Sequence, residues 1–225
     1  MLEVHDLHYR YEDGHEALKG ISFTLTEGEK TALVGANGSG KSTLLLHLAG
    51  ALRVQTGKII LNASTGLIFQ DSDDQLLMPS VIEDVAFTLT ANGMNRKQAH
   101  ERANEILDEL GILHLANRPP HKLSGGEKKM VTIAGVLASE PEILLLDEPT
   151  AGLDPKARRR VINFLHDSEK TILLASHDLD MTLDVCRRAI ILHDGIISAE
   201  GELPELFMNQ SLLEANGLEL PLRYS

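Results

Sequence analysis

The sequence predicts an α/β fold: a mainly parallel sheet covered by helices on both faces, with a helical segment set into it. Three observations carry this reading. Short apolar strands alternate with helices along the chain. The stretch Gly35-Ala36-Asn37-Gly38-Ser39-Gly40-Lys41-Ser42-Thr43 fits the phosphate-binding pattern G-x-x-x-x-G-K-[ST], between a strand and a helix. Residues from about 71 to 140 look helical and separate two strand-rich blocks.

Taken in order, residues 2–9 alternate as a half-buried strand does, and residues 21–25 alternate again. A turn at Glu27-Gly28-Glu29 leads into a buried strand over 30–34, and a helix is expected over 41–52. Residues 57–61 and 66–69 read as two short strands closed by a turn at 62–66, with Gln70 ending the second. A polar loop follows over 71–75. Ser80 is a plausible N-cap with Glu83 three residues on, and a helix over 96–110 is ended by Gly111. Strands return over 143–146, 171–175, 188–192 and 196–199, with helices over 155–167 and after Asp178.

The composition excludes several classes. A net charge of −12 argues against a protein that grips nucleic-acid backbones, and Arg158-Arg159-Arg160 reads as a solvated helix face. One cysteine, Cys186, permits no intramolecular disulfide. No apolar run reaches membrane-spanning length, and the N-terminus lacks the pattern of a signal peptide, so a cytoplasmic chain is expected. The ten histidines show no metal-ligand spacing.

The glycine-rich loop carries the first chemistry. Its glycines let backbone N–H groups turn toward a triphosphate, Lys41 supplies a point charge, and the Ser42 hydroxyl can ligate Mg²⁺. Tyr11 could stack on a base, although core packing or a rim position explains it as well. Leu144-Leu145-Leu146-Asp147-Glu148 places two acids at the end of an apolar strand. In a parallel sheet they face the crevice that holds the phosphates. Asp147 can bind Mg²⁺, directly or through water, and Glu148 can act as general base toward water. Leu123-Ser124-Gly125-Gly126-Glu127 opens another helix, a second N-terminus suited to an anion, or an ordinary N-cap at Ser124.

With these motifs, Gln70, Ala151-Gly152-Leu153-Asp154 and His177, the chain resembles an ATP-binding-cassette (ABC) ATPase over essentially its whole length. The resemblance implies a P-loop NTPase fold: a RecA-like core with a parallel sheet plus an antiparallel β-subdomain, over 1–70 and 141–225, and an inserted helical subdomain over 71–140. It implies ATP hydrolysis with ATP and Mg²⁺. Two subunits would pack head to tail, each ATP lying between one P-loop and the other subunit's signature. Tyr11 then stacks on adenine. Gly35, Ala36, Asn37, Gly38, Ser39, Gly40, Lys41, Ser42 and Thr43 hold the nucleotide. Ser42, Gln70 and Asp147 serve the Mg²⁺. Glu148, His177 and Gln70 are catalytic, with His177 on the γ-phosphate. Ser124, Gly125, Gly126 and Glu127 reach the partner's ATP, and Asp154 couples the two sites. Two departures stand out: Glu127 replaces the usual glutamine, and the segment before Gln70 is short. With only 83 positions from Lys41 to Ser124, no coiled-coil insertion of the DNA-repair type fits.

Residues 69–75, 81–87, 134–138, 147–155 and the tail around 203–207 and 218–222 further resemble the ATPases of energy-coupling-factor (ECF) importers for cobalt, nickel or vitamins. That implies a transmembrane coupling protein docked in a groove lined from Asp71 to Phe87, a membrane substrate-binding subunit, a second ATPase subunit, identical or homologous, no nucleic acid, and a peripheral position on the cytoplasmic side of the inner membrane. The alternatives are the ATPase of another ABC transporter and a soluble, non-transport ABC ATPase serving a cytoplasmic assembly.

Overall fold

The computed structural model describes residues 1–224. Their strands form two sheets. Glu16–Leu25 (β2), Leu2–Arg10 (β1) and Thr56–Leu61 (β4) make an antiparallel sheet in that order. A six-stranded sheet has the order Thr65–Ile68 (β5), Ile143–Asp147 (β6), Thr171–Ser176 (β7), Lys30–Val34 (β3), Arg188–His193 (β8) and Ile196–Glu202 (β9). Strands β6, β7, β3 and β8 run parallel, and β9 returns antiparallel on β8. Strands β6 and β7 are buried at every residue, as expected where both faces of a parallel sheet are covered.

The chain divides into two compact units. The first comprises Met1–Leu67, Glu142–Glu148 and the residues from Phe164 onward; the second comprises Ile68–Pro141 and Pro149–Asn163. In the first unit one hydrophobic cluster joins Leu2, Val4 and Leu7 of β1, Ile21, Phe23 and Leu25 of β2, and Leu33, Leu145 and Leu173 of the larger sheet. Leu44, Leu45 and Leu48 of the helix Lys41–Leu48 (α1) complete it. This packing fixes the loop between β3 and α1. The same unit holds the helices Leu179–Val185 (α6), Leu203–Phe207 (α7) and Gln210–Ala215 (α8).

The second unit is helical. Val81–Ala91 (α2) buries Val81, Val85 and Leu89, and Arg96–Glu109 (α3) buries Ala99, Ala103, Ile106 and Leu107, an i, i+4, i+7, i+8 stripe. Both pack on Gly125–Leu137 (α4). The helix Pro155–Asp167 (α5) begins in this unit and ends in the first.

The structure departs from the sequence expectations at several points, among them a second strand that begins at Glu16 and a last strand that runs on to Glu202. Helix α1 stops at Leu48, not Leu52, because Gly50 takes φ 72° just past the cap and ends the helical turn. Strands β4 and β5 do not form a hairpin: β4 pairs with β1, whereas β5 lies beside β6, so residues 62–64 cross between sheets. Strand β5 ends at Ile68, two residues before Gln70. Ser80 occupies the N-cap position but donates its hydroxyl to Glu83 at 3.0 Å, and its side chain accepts no helix N–H.

Candidate active site

In the first unit, the β3–α1 loop turns on Gly38 and Gly40, with φ of 82° and 107°. Both angles lie in the left-handed region that glycine enters without Cβ strain. Gly40 is also confined sterically, since a Cβ there would lie 2.6 Å from the Ala17 carbonyl oxygen. No side chain caps α1, so its first N–H groups are oriented toward the loop as an anion site. Lys41 is buried, and its Nζ donates to the carbonyls of Gly35 at 2.8 Å and Ala36 at 3.0 Å. Burial pushes this ammonium below the ordinary lysine range, against the opposing pull of Glu148 and Asp147. Ser39 Oγ is buried without a hydrogen-bond partner among the described residues. An unmet hydroxyl and a lysine resting on main-chain carbonyls fit a loop whose partners are phosphate oxygens.

Tyr11 is partly exposed and shares a 2.9 Å hydrogen bond with Thr43 Oγ1 in the first turn of α1. Its ring lies nearly parallel to His15, with centroids 6.4 Å apart, and edge-on to Tyr9. The phenol hydroxyl is therefore tied to the first turn of α1, and the ring retains an exposed surface.

Asp147 ends β6 and Glu148 follows it directly, both buried. Glu148 adopts φ 44°, an uncommon left-handed conformation for a residue with a Cβ, and its N–H donates to the Ala175 carbonyl at 2.9 Å. That kink aims the carboxylate at the end of β7. There Ser176 Oγ donates to Oε2 at 2.9 Å, and the His177 N–H donates to Oε1 at 2.8 Å. His177 Nδ1 lies 2.6 Å from the same Oε1. A carboxylate accepts only, so Nδ1 carries the proton and the exposed side of the ring presents Nε2. Glu148 is thus held at both oxygens, and His177 is held by Glu148.

For Mg²⁺, the first unit offers the exposed Ser42 hydroxyl and the Asp147 carboxylate. Among the described residues no group of three or more His, Cys, Asp or Glu side chains could hold a metal unaided. One hydroxyl and one carboxylate fit a hard ion that keeps waters and takes further ligands from phosphate.

The second unit carries the remaining predicted residues. Ser124 caps α4 in a reciprocal capping box: its Oγ accepts from the Glu127 N–H at 3.3 Å, while Glu127 Oε2 accepts from the Ser124 N–H at 2.8 Å and hydroxyl at 2.9 Å. These bonds, the main-chain one foremost, hold the Glu127 carboxyl below its ordinary range. Gly125 is exposed at the start of α4. Gly126 has a packing reason to be glycine, because a Cβ would sit 2.3 Å from the Ala157 Cβ of α5. Asp154 accepts from the N–H groups of Lys156 at 2.9 Å and Ala157 at 3.0 Å, fixing the start of α5. Gln70 is exposed.

The structure thus brings Lys41, Ser42, Asp147, Glu148 and His177 into one unit, and Gln70, Ser124, Gly125, Gly126, Glu127 and Asp154 into the other. Two supporting residues escaped the sequence reading. Ser176 was hidden inside an apolar strand. Lys129 left a trace, a lysine in line with Ile133 on the buried stripe of α4, and it is almost fully buried.

Residues 18–151 match the family model described as ABC transporter. The energy-coupling factor transporter ATP-binding protein EcfA of Methanocaldococcus jannaschii is 39% identical, covering 98% of this chain and 86% of its own length. Among solved structures, cbiO1 from Clostridium perfringens, part of the ABC transporter complex cbiONQ, superposes with a TM-score of 0.82 at 36% identity, over 95% of this chain and 93% of that one. The ATP-binding cassette MJ0796, in a dimeric post-hydrolysis state bound to ADP and Pi, gives 0.81 at 27% identity, over 90% and 99%. The family model spans more than half of the chain and the relatives cover nearly all of it: the protein belongs to the ABC transporter family and is an ATP-hydrolysing subunit of it.

Proposed function

We propose that the chain energises an ECF-type importer of a transition-metal ion, cobalt or nickel, or of a vitamin such as biotin, working as a head-to-tail dimer on the cytoplasmic face of the membrane. The likeness to EcfA over nearly the whole chain carries the importer class. The structure of cbiO1, described as part of cbiONQ, supports the same class. Among the described residues no helix is long and apolar enough to cross a membrane, so membrane partners would supply the pathway. Leu77 and Phe87, exposed beside the loop after Gln70, suit a groove for a transmembrane coupling protein.

In this reading Lys41 leaves the Gly35 and Ala36 carbonyls for the β- and γ-phosphates, and the N–H groups from Gly38 to Thr43 receive the phosphate oxygens. Tyr11 packs on adenine. Ser42, Asp147 and Gln70 hold the Mg²⁺, which when bound neutralises phosphate charge. Glu148 orients a water in line with the γ-phosphorus and takes its proton as the oxygen–phosphorus bond forms and ADP departs. Ser176 and His177 keep the carboxylate aimed. With Nδ1 on Glu148, His177 Nε2 donates to a γ-phosphate oxygen only as the imidazolium. Ser124, Gly125, Gly126 and Glu127 close over the partner's ATP, and Asp154 links the two sites.

Affinity purification of the full chain from membranes of the native cell, followed by mass spectrometry, tests the importer class. A transmembrane coupling protein and a small membrane substrate-binding protein are expected. Recovery in the soluble fraction with a cytoplasmic assembly factor would favour the soluble reading.

A further inference from the structure

Two consecutive lysines of α4 hold the loop that follows β5. Lys129 is among the largest fully enclosed side chains, 2% exposed. Its Nζ donates to the carbonyls of Phe69 and Gln70, both at 2.8 Å. Lys128 Nζ contacts both carboxylate oxygens of Asp73, at 2.6 and 2.9 Å. The loop is closed on itself by Gln75, whose Oε1 accepts the Phe69 N–H at 2.9 Å, and by the Gln75 N–H donating to the Ser72 carbonyl at 3.1 Å. All of these residues belong to the second unit.

A lysine pays a large desolvation penalty when enclosed, so its donors must be met. Here two of them are met by the Phe69 and Gln70 carbonyls, the two that flank the Gln70 Cα. Lys129 stands five residues after Ser124 on the same continuous helix. We propose that Lys129 is a positioning residue that clasps the Gln70 main chain to the signature helix, so that Ser124 and Gln70 move as one body. This rests on the catalytic reading of Gln70 given above. The consequence is directional. A contact made by Ser124 and Gly125 with the partner's nucleotide shifts α4, and α4 carries the Gln70 peptide with it. The Asp71–Gln75 loop, part of the lining of the proposed coupling groove, shifts too. Half-buried Lys128 and exposed Asp73 form the outer half of the clasp, and Lys129 the buried half.

The variants Lys129→Met and Lys129→Gln separate this from a role in packing alone. Methionine fills the same space without a donor, whereas the glutamine amide supplies two N–H donors. Hydrogen exchange of the peptide covering residues 69–75, in the full chain without nucleotide, reads the clasp directly. Exchange there is expected to quicken at least tenfold in Lys129→Met and to stay near the parent rate in Lys129→Gln. ATPase kcat is expected to fall at least fivefold in Lys129→Met with KM for ATP changed less than twofold, and to recover to at least half in Lys129→Gln. Unchanged exchange and kcat in a folded Met variant would overturn the proposal, as would a Gln variant as impaired as Met. Should Lys129→Met fail to fold, Asp73→Asn and Lys128→Met loosen the outer half and are read by the same exchange measurement. Gln70→Ala is the control: if it keeps full kcat, the catalytic reading of Gln70 fails, while the exchange data still decide the clasp.

Discussion

At the scale of single residues, Glu148 shows how backbone geometry and chemistry are bound together. A non-glycine residue at φ 44° costs on the order of 1 kcal/mol, and here the bond to the Ala175 carbonyl and those from Ser176 and His177 keep it there. Glu148→Gln preserves the shape and most of these bonds but removes the proton acceptor. Steady-state hydrolysis is expected to fall at least a hundredfold, with ATP binding and thermal midpoint near the parent; hydrolysis that survives would remove Glu148 from the role of base. Glu127 gives a second case. A carboxylate is electrostatically less welcome than an amide beside a triphosphate. In the structure that carboxylate is engaged by the Ser124 N–H and hydroxyl, and a glutamine can close the same capping box. Glu127→Gln should therefore keep or raise ATPase activity, whereas Glu127→Ala loses half the box and about 1 kcal/mol of stability in urea unfolding. The acids were legible because two of them end an apolar strand after a P-loop. Ser176 and Lys129 were not, because a serine in a strand and a lysine on a helix declare their partners only once distant segments meet.

At the scale of elements, the turn between β2 and β3 sets the start of the strand that ends in the phosphate loop. Glu29 secures it. Its Oε2 accepts from the Thr26 N–H at 2.9 Å and hydroxyl at 2.7 Å, and its Oε1 accepts from Thr31 at 2.9 Å and Arg188 at 2.7 Å. Burial alone would raise this carboxyl, but the Arg188 and threonine bonds prevail and hold it down to about 2. A folded-state value below the unfolded one adds stability that is complete above the ordinary carboxyl range, near 4.5, and is lost as pH falls toward 2. Glu29→Gln should cost on the order of 2 kcal/mol at pH 7. The gap between parent and variant should narrow steadily below pH 4.5, as read from urea midpoints across that range; a gap independent of pH would show that charge is not what Glu29 contributes. The sequence placed this turn correctly because Glu27-Gly28-Glu29 interrupts two apolar runs. It misjudged β4 and β5 for a reason of the same kind. Two short strands separated by polar residues look like a hairpin locally, and only β1 and β6, remote in sequence, provide the edges on which they pair.

At the scale of the whole molecule, the order of motifs was legible throughout, because each needs its own local pattern of glycine, lysine or acid. What single-chain patterns cannot express is assembly. Lys41, Glu148 and His177 occupy one compact unit, and Ser124 to Glu127 occupy the other. The head-to-tail reading sends that second set to another subunit's nucleotide. Choosing variants for a test depends on the structure. Gly126 is unsuitable, since any Cβ collides with Ala157. Gly125 is suitable: a Cβ would meet only Leu153 Cδ2, at the ordinary distance of 3.8 Å. An aspartate there, in the first turn of α4, favours the helix while opposing a phosphate. Chains carrying Lys41→Ala and chains carrying Gly125→Asp should each be inactive as dimers of one kind. Mixed, they form dimers in which one site carries both lesions and the other carries neither. Random pairing should then restore roughly a quarter of the parent rate. Sites built within one chain would restore nothing, because every such site would keep its own lesion. Measuring ATPase rate against mixing ratio therefore decides the architecture, and a maximum at equal proportions is the outcome that the shared-site reading requires.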